Sequence, residues 1–241
     1  MDNLDIKTVA DTVTENIKTA HVFKKYGIDF CCGGGISIKK ACEKHNVNFN
    51  LLVNELNDVE NNVNFINDYN GWELDFLIDF IVNTHHKYVE ENIPLLKQYG
   101  AKVAKVHGQH YKELKEIESM IYSISDELTV HMKKEELILF PFIKKLLHAH
   151  RDDNIIETPQ FGAVDNPIKM MEEEHDDAGE AFRKISTLTN SYSTPENACN
   201  TFKALYAKLE EFEENLHQHV HLENNILFPK ARLLEQKVKQ Y

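Results

Sequence analysis

Two stretches of this chain share the pattern His-x3-Glu-x2-Ile-Leu-Phe-Pro. One runs from His131 and Glu135 to Ile138-Leu139-Phe140-Pro141, the other from His219 and Glu223 to Ile226-Leu227-Phe228-Pro229. On a helix, residues i and i+4 share a face about 6 Å apart along the axis. Each copy therefore aims an imidazole and a carboxylate at one point, and two such pairs facing each other make a metal site. The donors are nitrogen and oxygen with no thiolate, a set that suits iron or manganese and tolerates zinc. Two carboxylates on opposed helices can bridge a pair of ions at the ~3.5–4 Å separation of two-metal sites.

A single His-x3-Glu pair is common on solvated helix surfaces. Here both copies interrupt apolar stripes. One stripe reads Leu128, His131, Glu135, Ile138 and Phe142, and another reads Phe212, Leu216, His219, Glu223 and Ile226. A third carries His175 among Met171, Ala178, Phe182 and Ile185. Ionisable groups thus sit where a core belongs. An unpaired buried carboxylate costs several kcal/mol or takes up a proton. Bound cations remove that cost, and they require ionised carboxylates and neutral imidazoles.

Four long helices are expected to carry these stripes. They span about Trp72 to Glu91 (resuming after Pro94), Gln109 to Leu147, Ile168 to Thr189, and Glu196 to Glu235. Pro141 and Pro229 should kink or break the second and fourth. A connection from His150 to Pro167 and a turn at Asn190–Pro195 join them. No strand-like alternation stands out, so the chain reads as all-α, an up-down four-helix bundle. The repeat exceeds the motif: His86 precedes His131 by 45 residues and His175 precedes His219 by 44. Each half is a helical hairpin with one His on its first helix and His-x3-Glu on its second. Helical spacing alone does not separate His85 from His86. His217 and His221 point about 160° to 200° away from His219, which makes them surface or supporting groups. His21, His45, His107, His110, His148 and His150 lack the pattern.

Residues 1–62 form a smaller unit. Thr8 to Tyr26 has helical spacing and stops at Gly27. Asp29-Phe30-Cys31-Cys32-Gly33-Gly34-Gly35 follows as a tight turn, then a short helix near Ser37. Asparagine occurs ten times between Asn46 and Gly71, and residues 63–71 read as the linker to a bundle of 72–241. The turn should expose the Cys31 and Cys32 thiols and lower their pKa through backbone N–H groups. Alternatively, they are small residues packed at a bend. Cys42 and Cys199 read as structural. A net charge of -12 opposes non-specific binding to nucleic acid or an anionic membrane. No apolar run approaches the ~20 residues of a membrane span. Four cysteines, two of them adjacent, fit a cytoplasmic, reduced protein.

Taken together, Asp29-Phe30-Cys31-Cys32-Gly33-Gly34, Glu174-His175-Asp176-Asp177-Ala178-Gly179 and the two long motifs resemble one family over essentially the whole chain. It is the iron–sulfur cluster repair di-iron proteins of the ScdA/YtfE type. The resemblance implies a haemerythrin-like bundle behind a small helical domain with a Cys-Cys-Gly-Gly turn. It also implies two non-haem irons held by His86, His131, Glu135, His175, His219 and Glu223, with Glu135 and Glu223 as bridges. His86 is preferred to His85 because the family's first ligand lies eight residues before the proline matched by Pro94. The implied role is repair of clusters damaged by oxidative or nitrosative stress, by supplying iron to client iron–sulfur proteins, in a homodimer. Cys31 and Cys32 could then receive iron, carry sulfur or sense redox state. Glu127 and Glu174, beside the ligands, are candidates for support or an iron exit route. The rival readings are a nitric oxide reductase and a haemerythrin-like module that binds nitric oxide or oxygen.

Overall fold

The computed structural model describes residues 6–61 and 68–238. Residues 63–67 of the expected linker lie outside them. Among the described residues there are helices and one isolated backbone bridge, Thr8 to Ser37, and no strand.

The amino-terminal unit is four short helices: α1 (Val9–Glu15), α2 (Ala20–Lys25), α3 (Ile38–His45) and α4 (Phe49–Asn61). The expected single helix from Thr8 to Tyr26 is broken. Asn16 leaves helical geometry at φ -145°, and its side chain accepts from Lys18 N, capping a separate turn Ile17–Thr19. Asparagine competes with the helix by this local bonding. Gly27, at φ 66°, ends α2 as anticipated. The cysteine turn then folds back on α1, with Ala10 N donating to Gly34 O at 2.8 Å. A Cβ on Gly34 would lie 2.5 Å from Phe30 O, so this approach needs glycine.

The bundle consists of α5 (Leu74–Ile81), α6 (Lys87–His107), α7 (Glu113–Lys134), α8 (Phe140–Arg151), α9 (Asp165–Leu188), α10 (Asn200–Leu222) and α11 (Phe228–Val238). Three π-helical turns, Val82–His86, Glu135–Leu139 and Glu223–Leu227, join α5 to α6, α7 to α8 and α10 to α11. The result is four rods, and α9 is the one without a π turn. Pro141 and Pro229 each follow such a turn. Proline cannot donate to the carbonyl four residues back. The wider turn closes instead through Phe140 N to Glu135 O and Phe228 N to Glu223 O. The helices are therefore re-phased rather than broken. Pro94 sits inside α6, which continues to His107.

This re-phasing corrects one stripe. An extra residue in a turn rotates the downstream helix by about 100°. Ile138, expected inside, is 49% exposed, while Leu139 and Phe140 turn inward. The stripes of α9 and α10 are buried throughout. Two apolar clusters result. One joins the amino-terminal unit to the upper bundle through Phe23, Phe30, Phe182, Phe212 and Leu216. The other fills the lower bundle around Leu77, Ile81, Ile143, Met171 and Phe228. Each large side chain so buried contributes roughly 1.5–3 kcal/mol.

Candidate metal centre

Between the two apolar clusters lies a polar layer. Two groups of four residues each bring ligand atoms within 4.8 Å of one another: His86, Glu135, His219 and Glu223, and His131, Glu135, His175 and Glu223. Both carboxylates belong to both groups. Glu135 Oε2 is 3.3 Å from the Nε2 atoms of His86 and of His131. Glu223 Oε1 is 3.0 Å from His219 Nε2, and its Oε2 is 3.2 Å from His175 Nε2. The π turns supply this geometry. His86 closes one, while Glu135 and Glu223 open the other two, a placement π turns often take at functional sites.

Hydrogen bonding does not account for the layer. Glu135 and Glu223 are fully buried, yet none of their four oxygens has a hydrogen-bond partner. The imidazoles approach them at ion-pair distance without hydrogen-bond alignment, as donors converging on a common third point would. His86 Nε2 faces His219 Nε2 at 3.1 Å, and His131 Nε2 faces His175 Nε2 at 3.0 Å. Such a nitrogen pair shares at most one proton. Burial opposes charge on His86, but Glu135 and Glu223 raise its pKa to about 10. Burial opposes charge on His131 too, and Glu135 with Glu174 raises it to about 10. Burial lowers His219 despite Glu223. Burial works against both carboxylates, yet the surrounding imidazoles hold them below the usual range. Without metal, two imidazolium protons offset two carboxylates. Two cations fit the same donors and meet the unpaired oxygens.

Three of the four distal nitrogens are held from outside the layer. His86 Nδ1 donates to Glu136 Oε1 at 2.9 Å, His131 Nδ1 to Glu174 Oε2 at 2.8 Å, and His175 Nδ1 to Asn224 Oδ1 at 2.8 Å. These bonds fix the tautomer that turns Nε2 inward. Lys133 steadies Glu136 and Lys134 steadies Glu174. His131, first, and Lys134 bring Glu174 down to about 2. Glu136 and Asn224 were missed by sequence reasoning. Their signal was positional, since each directly follows its motif glutamate. His85 is buried but outside both groups. Its Nδ1 meets Asn215 Oδ1 at 3.2 Å, and its ring stacks on His219 at 5.7 Å. Glu127 is exposed and accepts from Ser123. With Glu174 and Lys134 it lines a groove of about 390 Å³ that reaches His131.

The cysteine turn packs directly on this layer. Asn225 Nδ2 donates to Cys31 O at 3.0 Å and to His221 Nδ1 at 3.0 Å. Asn224 Nδ2 reaches Cys32 Sγ at 3.8 Å. His221, read from sequence as a surface or supporting group, is neither solvated nor at the centre. It is fully buried, 3.4 Å from Thr14 Oγ1, and edge-on to Phe30, because the amino-terminal unit covers that face. Burial brings its pKa to about 4. His217 packs against the same Phe30. The expected lowering of thiol pKa is overturned for Cys31. The Asp29 carboxylate takes the backbone N–H groups of both cysteines, at 3.0 and 3.1 Å, and lies 3.2 Å from Cys31 Sγ. Cys31 is buried, and Cys32, burial and Asp29 push its thiol well above the usual value. Cys42 is buried in the core as expected. Cys199 is exposed at the start of α10, with Sγ 3.2 Å from His107.

A histidine–carboxylate metal bundle of the haemerythrin class is what this fold and layer define. Residues 77–231 match the haemerythrin HHE cation-binding domain, and residues 5–60 match ScdA_N, a domain of unknown function. The chain is 35% identical to the iron–sulfur cluster repair protein ScdA of Staphylococcus epidermidis, over 92% of this chain and 96% of that one. It is 35% identical to the iron–sulfur cluster repair protein YtfE of Yersinia pseudotuberculosis, over 87% and 89%. The YtfE of Yersinia pestis is 34% identical over 89% and 91%. The chain belongs to the ScdA/YtfE family of iron–sulfur cluster repair proteins.

Proposed function

We propose that this protein repairs damaged iron–sulfur clusters by supplying iron from a carboxylate-bridged di-iron centre. His86, His131, Glu135, His175, His219 and Glu223 are its ligands, and Glu135 and Glu223 its bridges. The observation that carries this reading is the pair of buried four-residue groups sharing two carboxylates whose oxygens have no hydrogen-bond partner. The names of the relatives supply the repair role. When bound, two ferrous ions would supply exchangeable iron. The chain's own part is to hold three of the four imidazoles in one tautomer, keep both carboxylates ionised, and close the layer between apolar clusters. Nitrogen and oxygen donors hold ferrous iron less tightly than a thiolate and sulfide site, so transfer to a damaged cluster runs downhill.

In the same reading the chain divides into 1–62, a linker 63–71 and a bundle of 72–241, acts as a homodimer, and works in the cytoplasm. No helix among the described residues is long and apolar enough to cross a membrane. The four cysteines are free, which suits a reducing compartment.

The test adds iron-loaded protein to an iron–sulfur enzyme inactivated by nitric oxide and follows recovered activity, beside a His219→Ala Glu223→Ala variant. Recovery with wild type alone supports iron supply. No recovery with iron demonstrably bound replaces it with the gas-binding or nitric oxide-reducing reading.

A further inference from the structure

The four imidazoles are not equally supported. Each group of four contains one histidine whose Nδ1 is bound by a carboxylate: His86 by Glu136 and His131 by Glu174. The second histidines differ. His175 Nδ1 donates to Asn224 Oδ1 at 2.8 Å. His219 Nδ1 is buried and has no partner among the described residues. The neighbour that could have provided one is His85. It takes the place before His86 that Glu174 takes before His175, so the helical hairpins match at this position. Glu174 reaches across to His131, whereas His85 only stacks on His219 and spends its own Nδ1 on Asn215.

A metal-bound imidazole gains basicity and a fixed orientation when its distal N–H has an acceptor. It loses both without one, and a buried donor left unmet costs free energy besides. Asn224 is held in its turn, because its Nδ2 reaches Cys32 Sγ. The position between His131 and His175 is thus braced on both imidazoles and linked to the cysteine turn. The position between His86 and His219 is braced on one.

The geometry points to two unequal iron positions: we propose that the His86–His219 position gives up its ion first, and that Asn224 is the positioning residue that retains the other. This rests on the iron-supply reading and says which ion is the cargo. Release is a ligand exchange. The Nε2 and carboxylate donors lose the ferrous ion, the acceptor's donors take it, and no electron moves.

The test uses full-length protein loaded anaerobically with two ferrous ions and mixed with excess ferrous chelator, with chelate absorbance as the readout. Wild type should release iron in two phases of equal amplitude, with rates differing roughly 10-fold or more. Asn224→Ala should speed the slow phase towards the fast one. Asn224→Asp, which puts a carboxylate against His175, should slow it further. A role for Asn224 that is only structural would move both variants the same way. Crystals exposed briefly to chelator should lose anomalous density at the His86–His219 position and keep it at the other. Monophasic release, same-direction shifts in the two variants, failure to load two ions, or loss from the His131–His175 position first would each overturn the proposal. Two-phase release with no cluster repair would refute iron supply alone, and repair with one-phase release would refute only the inequality.

Discussion

Replacing both Glu135 and Glu223 with methionine should make the metal-free protein more stable, not less. The two side chains are fully buried, and none of their four oxygens has a hydrogen-bond partner. Their attraction to protonated His86 and His131 offsets part of that desolvation. Exchange of buried ionic groups for apolar ones of similar volume is commonly neutral to about 1–4 kcal/mol stabilising, and methionine fills the same unbranched space. Released from the carboxylates, His86 and His131 would lose their protons and stay buried as neutral rings. At roughly 2–4 °C per kcal/mol for a chain of this size, the variant should melt up to about 16 °C higher than metal-free wild type. Loading reverses the order. An ion held at 1,000 times its Kd adds about 4.1 kcal/mol, which only wild type can collect. Calorimetry at pH 7, with and without ferrous iron, reads both effects. A metal-free variant melting several degrees below wild type would mean that the carboxylates serve the fold through ion pairs. A variant still stabilised by iron would mean that they are not the ligands. Either result refutes the reasoning.

Three further outcomes can be checked. In metal-free wild type, His86 and His131 titrate near 10 when folded against an ordinary 6.5, so their stabilisation is complete below 6.5 and lost as pH rises through 10. Urea unfolding should show that loss between pH 7 and 10 in wild type and not in the double methionine variant. Loading iron at pH 7 should expel about two protons from those imidazoles, read from the dependence of binding heat on buffer ionisation enthalpy; zero release would contradict the proposed exchange. Cys32 should react with a thiol reagent well before Cys31, and Asn225→Ala, by freeing the Cys31 carbonyl, should narrow the gap; equal rates in wild type would refute the docked turn.

The helices and their inward faces were legible because the apolar stripe of α9 keeps a helical period through the polar layer and that of α10 keeps it up to its π turn. Four of the six proposed ligands stood out because the motif occurs twice, and His175 because it interrupts an apolar stripe; His86 was separated from His85 only by the family resemblance. What the sequence did not show is where the helical period slips. Proline marks the turns before Pro141 and Pro229, although it suggested kinks rather than π turns. Nothing local marks Val82–His86, and that turn is what sends His86 rather than His85 into the layer. Contacts between distant segments were equally hidden. His221 lies on the face opposite the ligands, and a single helix gives no sign that α1 and Phe30 will cover that face. Asn224 and Asn225 looked like ordinary polar residues until the cysteine turn packed on them.

The polar layer also divides the interior. Above it, one apolar cluster runs continuously from the amino-terminal unit into the upper bundle; below it, another fills the closed end. Three of the four rods change helical phase at that level, so side chains above and below are not in register along them. Coupling between the halves runs through one uninterrupted α-helix, three π turns and whatever ties the layer together. With ions in place, the six proposed ligands, which come from all four rods, would be clamped at one height, and the molecule should open as a single unit. Without them, the two cores become separate units of local unfolding, with the lower one, α5, α8 and α11, free to exchange its amide hydrogens first. The iron content would then set how many independently melting bodies the chain contains.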